Sequence, residues 1–382
     1  MFELIFTGKY GKYNLGAGHP FSPLRMKMTL ELLEALGENP VYIEPEPVSP
    51  SLLYKIHSRD YVEAAEKASA GEVNEINLEK YGLGTADNPI TEGMAEGARY
   101  ICGGTLLGAQ LIAENKTNVA LQFGGGLHHA HYASAAGFCL YNDLALAIKD
   151  LTERGFYVAY IDIDVHHGDG VQEIFYNDDK VMTISFHETG EYLFPGTGSI
   201  YELGNGAGKN LKLNVPLEPF TEGESFLEAV KKVVQTALSQ FRPDVLVIQS
   251  GADAHYSDPL ADLLLTTQDY EKLFKLLLEL GNNFAKGKML FTLGGGYSFE
   301  AATRIWTVLY YVLSKKEIPH DLRLPETWRK RWSEILQTQM PEFLHDAPYP
   351  YEKIVRKKEI EAHNRDTVRR LLDLITAGLY YF

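Results

Sequence analysis

The chain has 382 residues with 51 acidic and 36 basic side chains, a formal net charge of −15, and two cysteines. That balance argues against a nucleic-acid binder held by phosphate contacts, which needs a basic face, and is compatible with cationic substrates. Cys102, in a helix-like run, and Cys139, two residues after Gly137, make no disulfide framework, and neither a secretory leader nor a run of membrane-spanning length is visible, so a cytoplasmic protein with no membrane partner is expected.

In chain order, residues 2–7 read as a first strand, and the proline-punctuated loop His19 to Arg25 leads into an amphipathic helix from Met26 to Leu36. Arg25 on its own reads as an exposed helix-start residue. A second strand at Val41 to Ile43 precedes helical segments at Leu52 to His57 and Tyr61 to Ala70, with His57 in a packing or capping role. A turn-rich loop, Gly82 to Pro89, carries Asp87 and precedes a long small-residue helix, Thr91 to Ala113, whose glycines suggest close packing on a sheet. Strand-like runs then alternate with helix-like ones. Strands are expected at Asn118 to Phe123, Gly155 to Ile161, Val181 to Ile184, Leu211 to Val215, Asp244 to Ile248 and Met289 to Leu293. Between them lie helices at Asn142 to Glu153, Val171 to Tyr176, one opened by a Thr221–Glu224 capping box, and Gln268 to Phe284. This alternation predicts an α/β fold, a single large domain over 1–382 with a mostly parallel central sheet and helices on both faces, and a less regular C-terminal extension from about residue 318.

The chemistry sits where the apolar runs stop. Five of them end in polar or glycine-rich segments: Gly124 to His129, Asp162 to Gly170, Ser185 to His187, Gln249 to Asp253 and Gly294 to Tyr297. In open α/β sheets the ligand crevice lies beyond the carboxyl ends of the strands, so five such ends describe one site. If the chain stays extended past Asp162, then Asp162, Asp164 and His166 point the same way. Asp164, His166 and Asp253 together offer two carboxylates and an imidazole, which leaves a coordination position open, as catalytic zinc sites do; Fe(II) also accepts such ligands. Two-metal chemistry of the arginase kind needs further bridging carboxylates, and Gly168 and His255 stand where they would be wanted. One metal is therefore favoured. His128 and His129 follow a triple glycine, and Asp162 and Asp169 are free to orient one imidazole each, as proton-transfer groups require. Tyr297, also presented by glycines, offers a phenol for a developing oxyanion, the alternative being a core tyrosine.

With these segments in view, the sequence resembles the zinc-dependent histone deacetylase superfamily, and most of all its bacterial acetoin-utilisation branch. The resemblance runs from His19–Arg25 through Gly82–Thr85, Gly124–His129, Asp162–Gly170, His187–Gly198 and Gly251–Pro259 to the Tyr297 loop, nearly the whole chain. It implies an arginase/deacetylase-like fold and hydrolysis of the acetyl amide of an acetylated protein or peptide. Asp164, His166 and Asp253 become zinc ligands. His128 is oriented by Asp162, while His129, oriented by Asp169, becomes the general base and then acid. Tyr297 polarises the acetyl carbonyl. Gly137, Phe138 and Phe194 line a narrow channel, Asp87 holds substrate backbone at its rim, and Arg25 lies near an internal acetate-release cavity. A structural potassium ion is implied beneath the zinc, at Asp162, Ser185 and the carbonyls of Asp164, His166 and Phe186. One departure is Leu293, where the family's first of four glycines before the tyrosine would stand. An acetylpolyamine amidohydrolase is the enzymatic rival, and a catalytically silent acetyl-lysine binding module the rival of another class.

Overall fold

Eight strands form one sheet: β1 (Glu3–Ile5), β2 (Tyr42–Ile43), β3 (Val119–Gln122), β4 (Val158–Asp162), β5 (Val181–Glu188), β6 (Lys212–Leu217), β7 (Val245–Gln249) and β8 (Met289–Thr292). They are seen in a computed structural model that describes residues 2–73 and 77–377; Met1, residues 74–76 and the last five residues of the expected domain fall outside the described residues. All pairings are parallel, in the order β2-β1-β3-β8-β7-β4-β5-β6. Parallel strands need crossovers, and α-helices supply these except between β5 and β6, where a loop holding one 3-10 turn (Gly206–Gly208) makes the crossing.

The helices are α1 (Leu24–Ala35), α2 (Pro50–Leu53), α3 (Arg59–Ser69), α4 (Met94–Ala113), α5 (Asp143–Glu153), α6 (Asp169–Ile174), α7 (Gly223–Phe241), α8 (Thr267–Phe284), α9 (Phe299–Leu313), α10 (Glu326–Leu336) and α11 (Lys357–Ala377). The two-residue period of the strands divides the core between the sheet's faces. Ala159, Ile161, Leu246 and Ile248 face the layer built from α1 and α7–α9, while Val158, Tyr160, Val245 and Val247 face the layer built from α4 and α5. Burial on both faces explains why these strands are continuously apolar. No helix among the described residues is long and apolar enough to cross a membrane.

At the carboxyl end the apolar strands stop in register. Gln122, Thr292, Gln249, Asp162 and Ser185 pair side by side across β3, β8, β7, β4 and β5. This polar row is the floor on which the site stands. The chain leaves β3, crosses to β4 and later inserts β7 and β8 between them. Four loops distant in sequence thereby become neighbours.

Several expected details shift. The capping box predicted at Thr221 does not form: α7 starts at Gly223 with Glu222 as N-cap and no side-chain cap. The Thr221 hydroxyl instead donates to Glu218 O at 2.6 Å and accepts from Asn364 of α11 at 2.8 Å. A full capping box occurs at α8, between Thr266 and Asp269. The short helix expected from Leu52 begins earlier, with Pro50 in its first turn, where a missing N–H costs nothing. The glycines of α4 pack closely, but only partly on the sheet: a Cβ at Gly108 would stand 2.6 Å from Leu290, whereas one at Gly103 would stand 1.9 Å from the carbonyl of Glu46. The region past residue 318 contains α10 and α11, the latter lying on β6 and α7.

Candidate active site

Beyond Asp162 the chain turns through a series of side-chain to backbone bonds. Asp164 N–H donates to Asp162 Oδ1 at 3.1 Å, and His166 N–H donates to Asp164 Oδ1 at 3.1 Å. The turn sends the side chains to two destinations rather than one. Asp162 meets His128, whereas Asp164 and His166 join Asp253 from the loop after β7. The donor atoms of Asp164, His166 and Asp253 lie within 4.8 Å of one another, and all three residues are buried. His166 Nδ1 stands 3.1 Å from Asp164 Oδ1 and 3.3 Å from Asp253 Oδ2. Burial opposes charge on His166, but the hydrogen bonds to the two carboxylates outweigh it and raise its pKa to about 10. Burial, reinforced by the Asp164 charge, lifts the Asp253 carboxyl to about 8. Two buried carboxylates this close repel, and a divalent cation among them would remove the repulsion. The donor set therefore fits a metal such as zinc.

The loop after β3 brings the paired histidines. His128 Nδ1–H donates to Asp162 Oδ2 at 2.8 Å, and the Tyr160 hydroxyl donates to the same oxygen at 2.5 Å. His129 Nδ1–H donates to Asp169 Oδ1 at 2.7 Å. With Nδ1 occupied, each ring has only Nε2 left for other chemistry. The environments then separate the two. Burial disfavours the charged form of His128, yet the Asp162 and Asp164 charges overcome this and raise its pKa to about 9. Burial and the neighbouring His128 instead hold His129 down at about 4. His129 is the ring kept neutral and able to take a proton.

Tyr297 sits after β8. Its backbone N–H donates to Asp258 Oδ2 at 2.7 Å, and Arg25 Nη1 donates to the carbonyls of Gly294 and Gly296 at 3.1 and 2.8 Å. Burial, with Asp253 and Asp164 nearby, pushes the phenol well above its ordinary pKa, so it remains a donor at neutral pH. Leu293 turns its side chain into the core, and its N–H donates to Gly124 O at 3.0 Å.

A cavity of about 200 Å³ opens onto these groups, with His129, His166 and Tyr297 in its wall and Gly137, Phe138 and Phe194 flanking them. Gly137 has φ +49°, and a Cβ there would stand 2.3 Å from the His129 ring. Only glycine lets the wall approach the imidazole this closely. Phe138 follows at φ +66°, pinned by the Tyr13 hydroxyl, which donates to its carbonyl at 2.7 Å. Asp87, exposed, lies on the cavity's edge. Ser185 and Phe186 lie on β5; the Ser185 hydroxyl is 2.9 Å from His187 Nδ1, and Ser185 is the register partner of Asp162.

Arg25 departs from its local reading, since it is 4% exposed rather than a surface residue. It stands behind the Tyr297 loop, with its guanidinium 4.6 Å from the Phe21 ring, 5.2 Å from Trp306 and 5.8 Å from Tyr297. It is not in the cavity wall. His57, by contrast, packs as expected: its Nδ1 is 2.8 Å from His131 O and its Nε2 accepts from Asn142 N–H at 3.0 Å.

Sequence reasoning passed over several residues. Gln249 donates to Asp164 Oδ2 at 2.7 Å and so orients that carboxylate. Leu193 and Leu260 add to the cavity wall. Asn142 and Asp143, at the start of α5, brace the histidine loop, Asp143 accepting from Gly126 and Leu127 N–H at 3.1 and 2.8 Å and Asn142 donating to Ala130 O at 3.0 Å. The one available signal was polarity in an apolar context, a glutamine ending a strand and an Asn-Asp pair opening an otherwise apolar helix.

Paired His–Asp couples, an Asp-His-Asp donor set and a glycine-presented tyrosine around one cavity coincide with a match of residues 19–313 to the family model described as Histone deacetylase domain. The chain belongs to the histone deacetylase family. It is 39% identical over 372 residues to the acetoin utilization protein AcuC of Bacillus subtilis (strain 168), covering 96% of each chain. To AcuC of Staphylococcus xylosus it is 35% identical over 373 residues, again covering 96% of each. Among solved structures, a crystal structure of an HDAC homolog complexed with SAHA superposes with a TM-score of 0.85 at 31% identity, covering 97% of this chain and 99% of that one. An HDAC homolog from Aquifex aeolicus gives 0.83 at 31% identity, covering 95% and 99%. The parallel sheet and helices on both faces are thus those of the family, and the protein is a histone deacetylase-family hydrolase similar to the AcuC proteins.

Proposed function

We propose that the protein is a zinc-dependent deacetylase that hydrolyses the acetyl amide of Nε-acetyl-lysine on a protein or peptide. The observation that carries this is the meeting, at one cavity, of the Asp164, His166 and Asp253 donors, the neutral His129 held by Asp169, and the protonated Tyr297. Zinc at those donors, or Fe(II), would supply Lewis acidity, which polarises an amide carbonyl and makes water more acidic. The remaining work belongs to side chains. His129 takes a proton from the attacking water through Nε2 and returns it to the departing amine, while Asp169 holds its ring and tautomer. His128, kept charged by Asp162, offers positive charge beside the reacting centre. Tyr297 donates its hydroxyl proton in a hydrogen bond to the carbonyl oxygen as negative charge develops there.

The cavity supports the substrate class. Phe138 and Phe194 are apolar walls suited to the methylenes of a lysine side chain, and Asp87 at the edge offers a carboxylate to backbone N–H groups that a peptide has and a polyamine lacks. A potassium ion at Asp162, Ser185 and the carbonyls of Asp164, His166 and Phe186 would brace the floor. The acetoin-utilisation resemblance favours a metabolic enzyme such as an acyl-CoA synthetase as the acetylated protein. Purified protein should release acetate from acetyl-lysine peptides. Turnover of acetylspermidine in preference to every such peptide would make it a polyamine deacetylase, and tight peptide binding without turnover would make it a binding module.

A further inference from the structure

The family model ends at residue 313, yet a buried acid from beyond that point reaches the loops that carry the site. Asp346 follows α10, and its side chain is 2% exposed. Its carboxylate has four donors within 3.0 Å: His255 Nε2 at 3.0 Å, Arg304 Nη1 at 2.7 Å, and Thr267 N–H and Oγ1 at 2.7 and 2.9 Å. A buried carboxylate is tolerated only when it is so satisfied, and here the donors come from the loop that carries Asp253, from the first residue of α8 and from α9, the helix that follows Tyr297.

His255 lies on the same loop as Asp253. Its Nδ1 is 2.9 Å from Ser257 Oγ, which is 3.1 Å from Ser298 Oγ. Ser298 is the residue after Tyr297 and the N-cap of α9. The same loop contributes Asp258, which accepts the Tyr297 N–H at 2.7 Å and the Ser298 N–H at 3.4 Å. Arg304 lies further along α9, where it also pairs with Glu300 through its Nε at 2.8 Å. One carboxylate therefore contacts both the loop that carries Asp253 and Asp258 and the helix that follows Tyr297.

We propose that Asp346 is a positioning residue for deacetylation: it ties the Asp253–Asp258 loop to the start of α9 and so fixes where the Tyr297 hydroxyl stands. The proposal rests on the reading of Tyr297 as the carbonyl-polarising group. Misplacement of a catalytic group by about 1 Å costs on the order of 10²-fold in rate. Asp346→Asn keeps the size and removes the charge, so kcat should fall roughly 10- to 100-fold while KM and bound metal stay near wild type.

The test is a double-mutant cycle on an acetyl-lysine peptide with wild type, Asp346→Asn, Tyr297→Phe and the double variant, each checked for metal content and melting temperature. If Asp346 acts through Tyr297, Asp346→Asn should lower kcat by less than about 2-fold in the Tyr297→Phe background. Losses that multiply in full, or an unchanged kcat in Asp346→Asn, overturn the proposal and leave the reading of Tyr297 standing. A Tyr297→Phe enzyme as fast as wild type removes both. Should Asp346→Asn not fold, Ser257→Ala and Arg304→Met cut the two links separately, and the same cycle is run with each. An unchanged kcat in both overturns the proposal, and a kcat loss that vanishes in the Tyr297→Phe background supports it.

Discussion

Replacing Tyr297 with phenylalanine removes one oxygen and little else. Among the described residues the hydroxyl has no hydrogen-bond partner, and it belongs to a side chain in the cavity wall. The contacts that hold the ring survive the change: edge-on packing with Phe138 at 5.6 Å and with His166 at 6.3 Å, and the Arg25 guanidinium at 5.8 Å. The backbone N–H keeps its bond to Asp258. Folding stability should thus change by less than about 1 kcal/mol. Loss of one oxyanion donor typically costs about 10²–10³ in kcat, or about 3–4 kcal/mol of barrier, because the interaction strengthens only as charge develops. Substrate affinity, which depends on the channel walls and the Asp87 edge, should hardly move. Steady-state acetate release from an acetyl-lysine peptide, with a thermal melt of the same preparation, measures all three quantities. A folded variant with near-normal kcat would refute the reasoning and return Tyr297 to a packing role.

Removing Asp253 as Asp253→Ala, or treating the protein with a chelator, should abolish both bound metal and activity, measured by elemental analysis and acetate release; two equivalents of manganese with arginine hydrolysis would contradict a single-metal site. Asp87→Ala should lower kcat/KM for peptides by roughly 10- to 100-fold, the worth of charge-assisted hydrogen bonds of about 1.5–3 kcal/mol, and spare a small acetylated amine; equal losses on both would end the idea of backbone recognition at the edge. Lys212 is buried with its ammonium on the carbonyls of Val181 and Asp178 at 2.6 and 3.2 Å, and burial, partly offset by Asp178 and Asp179, lowers its pKa from 10.5 to about 8. The unfolded chain then binds more protons between those values, so this residue destabilises the fold below pH 8 and the penalty fades as pH rises towards 10.5. Urea titrations of wild type and Lys212→Met at pH 7 and pH 10 should differ in pH response by up to about 3 kcal/mol, and parallel responses would show that the ammonium is not burdened by burial.

What was legible locally follows from how a parallel sheet is built. Strands buried on both faces must be apolar throughout, so a polar residue at the end of such a run stands out against its neighbours. Asp162, His128, Asp253 and Tyr297 stand out in this way, each within a few residues of the end of a strand. Strand order was not legible, because nothing in β7 or β8 states that they lie between β3 and β4. The inference that five loops share one site needed only the rule that crevices form at carboxyl ends, and so survived ignorance of the order. Edges were less secure. Thr221 matched a capping pattern, but its hydroxyl is claimed by Asn364 from 143 positions away, a competitor that no local pattern contains.

Arg25 and Asp346 mark where local reading fails for a physical reason. A charged side chain following a proline-rich loop is usually solvated, and one acid among 51 carries no distinguishing mark. Each became structural only when distant backbone or side-chain partners enclosed it: the glycine carbonyls after β8 for Arg25, and His255, Thr267 and Arg304 for Asp346. Both serve the Tyr297 loop, from opposite ends of the chain. Glycines give that loop the freedom to reach the cavity but no means of holding a position there, so the holding must come from elsewhere. In the role proposed for Tyr297, a mobile donor would forfeit the advantage of preorganisation. Buried charges with fixed partners suit this task, since moving the loop would strip a guanidinium or a carboxylate of hydrogen bonds it cannot replace from water.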